Sequence, residues 1–142
     1  MHTIGTLARR TGTKVQTIRY YEQIGLMPEP GRTAGGQRRY DDADLDRLAF
    51  IRHSRQLGFP LEAIRELLDL SDHPARDCGA ADSIARRQLR EVETRIARLE
   101  ALRSELERMI GECRGGTASE CRVLEVLRDH SECLADDHDA IG

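Results

Sequence analysis

Along residues 89–113 the apolar side chains recur in steps of three and four: Leu89, Val92, Ile96, Leu99, Leu106, Ile110 and Cys113. This is the heptad spacing of two helices wound together, with Arg103 the one polar residue on the stripe. No Pro or Gly interrupts the pattern before Gly111. About thirty residues at 1.5 Å each predict a rod of roughly 45 Å. The intervening positions are dense with Arg and Glu, so a lone helix of this type has nothing to cover its stripe. The pattern therefore predicts a dimer with residues 82–112 as its coiled-coil helix.

The front of the chain has shorter periods. Residues 3–10 read as an amphipathic helix capped by Thr3, and Thr11-Gly12-Thr13 as a tight turn. Lys14 to Ile24 resumes helical spacing, with Val15 and Ile18 pointing inward. Two short helices joined by a Gly-containing turn make a helix-turn-helix, although many small helical domains contain such a hairpin. Gly25-Leu26-Met27-Pro28 ends the second helix. Residues 31–40 then place a Gly-rich turn between arms bearing Arg32 and Arg38-Arg39, the pattern of a small basic β-hairpin, or wing. Asp41–Leu57 and Leu61–Leu70 read as two more helices, separated by Gly58-Phe59-Pro60. Residues 71–81 form a polar linker, residues 113–128 a loop and short helix, and residues 129–142 an acidic tail. The fold class is mainly α: a winged helix-turn-helix domain over residues 1–70, a long dimerising helix, and a C-terminal loop with a short helix.

Charge sharpens this picture. The formal net charge of −3 averages two opposed halves. Residues 1–40 carry seven Lys and Arg against two Glu, while residues 71–142 carry 11 basic against 16 acidic side chains. A basic front and an acidic back suit a protein whose front meets a polyanion. Aromatic residues make up only 4%, with no Trp, which fits a compact head on an extended helix better than one large core. No 18-residue apolar run and no signal-peptide core are present, which predicts a soluble, cytoplasmic protein with no membrane partner.

Thr17-Ile18-Arg19-Tyr20-Tyr21-Glu22, then Gly25-Leu26, then Arg38-Arg39-Tyr40 resembles the N-terminal signature of MerR-family transcription regulators. The likeness runs through residues 1–70 and into the long helix. It implies that the second helix reads a major groove while the wing grips the backbone. Arg19, Tyr20, Arg38 and Tyr40 would hold phosphates, with Lys14, Val15, Gln16 and Thr17 nearest the bases. Tyr21 is expected in the core and Tyr20 at the DNA. Arg52, His53 and Arg55 are further candidates for phosphate, with His53 better read as solvated surface.

Four Cys in such a chain are more readily thiols or metal ligands than disulfides. Residues 114–120 join Cys113 to Cys121 through a seven-residue loop with two Gly, short enough to bring both sulfurs around one ion. Cys78, Cys113 and Cys121 fall where metal-sensing members of the family carry ligands. The resemblance implies an antiparallel coiled coil and one site per subunit, with Cys78 contributed by the partner. Soft thiolates select soft or borderline ions. Copper(I) sensors of the family share the two loop cysteines and the loop length but carry Ser near position 78. A third thiolate adds negative charge and favours a divalent ion: Cd²⁺, Pb²⁺ or Zn²⁺, with Hg²⁺ also in the set. Cys133 and His138 in the tail are candidates for additional ligands, against the plainer reading of a frayed acidic end.

The resulting expectation is a homodimeric regulator of a metal-resistance or efflux promoter. It would bind double-stranded DNA with or without inducer, distort the promoter, and work with RNA polymerase there. No catalytic constellation is legible, so no enzyme is expected. The alternatives are a copper(I) sensor of the same architecture, a thiol-redox sensor in which Cys113 and Cys121 form a disulfide, and a DNA-bending protein with inert thiols.

Overall fold

The structure is a computed structural model that describes residues 1–113 and 115–129. Its elements are α1 (Ile4–Thr11), α2 (Val15–Gln23), β1 (Gly31–Arg32), β2 (Arg38–Arg39), α3 (Asp42–Gln56), α4 (Leu61–Ser71), α5 (Gly79–Glu112) and α6 (Arg122–Arg128). A 3₁₀ turn covers Ala118–Glu120. The chain divides into two compact units, Met1–Ile84 and the segment from Ala85 onward.

In the first unit, local chemistry sets each boundary. The Thr3 hydroxyl accepts the Thr6 N–H at 3.1 Å and caps α1. Gly12 ends that helix at φ 65°, a left-handed conformation that costs a glycine nothing, and thereby turns the chain into α2. A reciprocal capping box opens α3. The Asp41 carboxylate accepts the Asp44 N–H at 2.8 Å, and the Asp44 carboxylate accepts the Asp41 N–H at 3.0 Å. The wing pairs antiparallel, with Gly31 opposite Arg39 and Arg32 opposite Arg38. His2 adds an isolated bridge to Tyr40, tying the start of the chain to the base of the wing.

One apolar cluster joins these pieces: Leu7 from α1, Ile18 and Tyr21 from α2, Leu26 and Met27 after it, Tyr40, Leu48 and Ile51 from α3, and Ile64 and Leu68 from α4. Val15, expected inside, is half-buried at the rim. Two arginines stitch the later helices to the end of α2. Arg47 donates to the Leu26 carbonyl at 2.7 Å and pairs with Asp72 at 3.2 Å, while Arg65 donates to the Ile24 carbonyl at 2.6 Å. The C-terminal end of α2 is thus held by both α3 and α4.

α5 runs for 34 residues and begins at Gly79, three residues before the expected Asp82. The Cys78 carbonyl accepts the Asp82 N–H at 3.0 Å, so the helical bonding already starts there. The apolar stripe lies open on this helix: Leu89, Val92, Ile96, Leu99, Leu106 and Ile110 are 39% to 69% exposed. A different face of the same helix carries the buried Glu105 and Met109. In the second unit the buried residue of α6 is Val126, and an ion pair from Arg122 to Glu112 ties α6 to the end of α5.

The turn before α2 holds a local conflict. Thr13 is 7% exposed, and its hydroxyl has no hydrogen-bond partner. A buried hydroxyl without a partner costs about 1–3 kcal/mol relative to an apolar group of the same shape. Thr13→Val is expected to stabilise the protein by about 1 kcal/mol, read as a higher urea midpoint with an unchanged slope at fixed protein concentration.

Candidate functional site

Two surfaces carry chemistry. The first is the outward side of α2 and its surroundings. Lys14, Gln16, Arg19 and Tyr20 are exposed, Val15 and Thr17 half-buried, and Ile18 and Tyr21 face the core. The helical period alone produces this split, since residues three or four apart share a face. Tyr20 is 48% exposed and Tyr21 is buried, as expected for the pair.

Concave, partly basic surfaces flank the helix. On one side a groove of about 480 Å³ lies between α2 and the wing, lined by Gln16, Arg19, Tyr20, Arg32 and Arg38 together with Glu22 and Glu29. On the other side a groove of about 600 Å³ is lined by Lys14, Thr17, Arg52, Arg55 and Gln56. Arg52 and Arg55 therefore join the reading helix, whereas His53 is exposed and lines neither groove. Cationic side chains on both flanks of an exposed helix suit a duplex whose phosphates run on either side of the major groove.

Tyr40 departs from expectation. Its relative exposure is 0%, and its hydroxyl donates to Glu22 Oε2 at 2.6 Å. A phenol sealed in the core and already paired has no surface to offer a phosphate, so a backbone contact through this side chain is ruled out in this conformation. Its role is instead to hold Glu22, whose other oxygen accepts Arg38 Nη1 at 3.1 Å. Burial, reinforced by the Glu22 carboxylate, pushes the Tyr40 phenol up to about 12. Glu22, on the last turns of α2, thus fastens the wing to the helix. The sequence contained it only as the end of the Tyr-Tyr-Glu motif, with no sign of its partners. Arg38 reaches the groove edge with part of its charge matched by this carboxylate.

The second surface is the loop between α5 and α6. Gly115 and Gly116 both take positive φ, 77° and 94°, and a Cβ at Gly116 would lie 3.0 Å from Glu120 Oε2. The Thr117 and Ser119 hydroxyls share a hydrogen bond of 2.9 Å, and the Cys121 N–H returns to the Ala118 carbonyl at 3.2 Å. This curl brings Cys121 back toward Cys113, and both line a concavity of about 210 Å³. Cys113 is exposed in the single chain, as the other members of the stripe are, and both thiols are free. The Cys121 thiol lies below its usual range, first because of the Leu124 backbone N–H, then the Val123 N–H, a hydrogen bond from Cys113, and the charge of Arg128. A thiolate is the form that binds metal, and two free cysteine sulfurs at one open concavity fit a soft cation.

Cys78 is exposed and lies in the first unit. Among the described residues no group of three or more His, Cys, Asp or Glu converges within one chain. Cys133 and His138 lie outside the described residues.

Comparison with known proteins now adds to this geometry. A profile described as MerR HTH family regulatory protein matches residues 2–71, and one described as MerR, DNA binding matches residues 45–109. The HTH-type transcriptional regulator ZntR of Escherichia coli K12 is 45% identical over 130 residues, 89% of this chain and 92% of the relative. The chain belongs to the MerR family. Its sequence falls among the family's metal-responsive transcription regulators, which are not enzymes. The lead(II) complex of the regulator PbrR691 from Ralstonia metallidurans CH34 superposes with a TM-score of 0.76 at 39% identity, covering 89% of this chain and 99% of that one. The mercury(II) complex of MerR from Bacillus megaterium MB1 gives 0.68 at 28% identity, with 89% and 99% covered. MerR-family regulators bind promoter DNA and function as dimers. No helix among the described residues is long and apolar enough to cross a membrane.

Two outcomes follow for the reading head of this MerR-family protein. Arg19→Ala is expected to weaken DNA binding evenly across sequences and to lower the slope of log affinity against log salt by about one, measured by fluorescence anisotropy. The folded Tyr40 phenol is raised above its ordinary value of 10.0. Its contribution to stability is therefore fully present below pH 10.0 and lost as pH rises through about 12. Denaturant melts across that window are expected to show a loss that Tyr40→Phe removes.

Proposed function

We propose that this regulator senses a divalent heavy metal ion through Cys thiolates and activates a metal-resistance or efflux promoter by distorting its DNA. The supporting observation is the pair of free sulfurs, Cys113 and Cys121, lining one concavity at the end of the dimerising helix, with the Cys121 thiol below its usual range. The third ligand is assigned to Cys78 of the partner subunit. The exposed stripe on α5 supports pairing of two copies, and in the antiparallel arrangement that the family resemblance implies the start of one helix meets the end of the other. Three thiolates suit Cd²⁺ or Pb²⁺ and leave Zn²⁺ a fourth position for water or another residue, while Hg²⁺ is also accommodated. The relatives with bound lead(II) and mercury(II) support that class of ion. Cys133 and His138 are kept as additional ligand candidates.

On the DNA, Lys14, Val15, Gln16 and Thr17 are assigned to the bases, and Arg19, Tyr20 and Arg38 to phosphates, with Arg52 and Arg55 added from α3. Two heads in one dimer read a palindromic site. Metal changes transcription only if it binds the activating arrangement more tightly than the repressing one. RNA polymerase at the promoter is the partner that reads out the change, and the cytoplasm is the compartment in which all these partners meet.

A redox reading is favoured by one observation, the two free sulfurs of Cys113 and Cys121 lining the same concavity. The test is metal content of the reduced protein after competition among Zn²⁺, Cd²⁺, Pb²⁺, Hg²⁺ and Cu⁺, repeated with Cys78→Ser. One divalent ion per subunit, lost in the variant, is the expected result. Retention of Cu⁺ by the variant would replace the divalent reading. Absence of any bound ion, with a disulfide forming in both proteins, would replace it with the redox one.

A further inference from the structure

The sensor loop has a neck made of charge. Glu112 is the last residue of α5 and directly precedes Cys113; Arg122 is the first residue of α6 and directly follows Cys121. Arg122 Nε donates to Glu112 Oε2 at 2.6 Å. The other Glu112 oxygen lies 3.5 Å from Arg108 Nη1, and Arg122 Nη1 lies 3.1 Å from Glu125 Oε1. Four side chains of alternating sign therefore cross from the last turn of α5 to the first turn of α6, at the point where the two cysteines enter and leave the loop.

We propose that the Glu112–Arg122 pair positions the two sulfurs, holding Cys113 and Cys121 together before a cation arrives and so setting their affinity for it. This rests on the metal reading above. The physical reason is loop closure. Bringing together the ends of a flexible segment costs entropy that grows with the logarithm of its length, and a segment already closed binds a bridging ion without that loss. The seven residues of α6 are too few to hold as a helix by themselves, so what ties them to α5 decides where Cys121 sits. The positive φ values at Gly115 and Gly116 shape the curl, and the ion pair closes it. Neither Glu112 nor Arg122 is assigned as a ligand; both act through their cysteine neighbours.

The test is a double-mutant cycle of Glu112→Gln, Arg122→Gln and both together, with two readouts. The first is affinity for Cd²⁺, by competition with a chromophoric chelator in the full-length reduced protein. The second involves no metal. In a background carrying Cys78→Ser and Cys133→Ser, the Cys113–Cys121 dithiol is equilibrated with glutathione disulfide. One intramolecular disulfide forms and two glutathione thiols are released, so the constant reports the effective concentration of one sulfur at the other. The Arg122 and Glu112 side chains are 25% and 41% exposed, so water screens the pair and its contribution is modest. Each single variant is expected to lower both constants by about three- to fivefold, and the double variant to lower them no further. A glutathione constant that stays at the wild-type value, or losses that add in the double variant, would overturn the proposal. If wild-type protein holds no Cd²⁺ yet the glutathione constant falls in the variants, the neck stands and the metal reading fails. If Cd²⁺ is held and the glutathione constant does not move, the neck fails and the metal reading stands.

Discussion

An apolar stripe on an otherwise charged helix has to be covered, and most of what this chain does depends on that requirement. α5 carries its seam from Leu89 to Ile110 with every member open. The surrounding Arg and Glu keep the helix soluble but cannot hide the stripe. Pairing two copies satisfies the seam and supplies two reading heads at once. On the proposed reading it also brings the third thiolate to each loop, so that sensing and DNA recognition share one interface. A metal-responsive MerR-family regulator built this way cannot assemble its sensor without also assembling its reader.

Within each head the governing interactions are short and local. The capping box at Asp41 and Asp44, the Gly12 turn, and the Arg47 and Arg65 bonds to the end of α2 leave the recognition helix little freedom to tilt. Glu22 then couples that helix to the wing through Arg38 and Tyr40. The basic count of the front half overstates the charge available to DNA, because part of it is matched inside the protein. Buried polar partners of this kind hold geometry more than they add stability.

Much of this was legible in the residues. The apolar stripe, the helix-turn-helix and the wing follow from period and turn chemistry, while Tyr20 outward and Tyr21 inward come with the family resemblance. What failed to show was pairing across sequence distance. Tyr40 resembled a phosphate contact because its motif places it beside the wing. Only the fold reveals that Leu7, Ile18 and their neighbours enclose its ring, and that Glu22, eighteen residues earlier, takes its hydroxyl. Glu112 and Arg122 lie ten residues apart in sequence, and only the curl at Gly115 and Gly116 places them face to face. Cys113 fell on the heptad stripe and so allowed a packing role, and only the fold shows it lining one concavity with Cys121.

The trio of Glu22, Arg38 and Tyr40 also separates two kinds of inheritance. Changing Glu22 alone leaves a guanidinium without its carboxylate and a buried phenol without its acceptor. A change at Glu22 is therefore felt at two partners at once. Lys14, Gln16 and Thr17 bear no such mutual obligation, being set on the outer side of a helix whose pose is fixed by other residues. On the proposed reading, in which these side chains face the bases, promoter preference drifts one side chain at a time while the scaffold that presents them stays as it is.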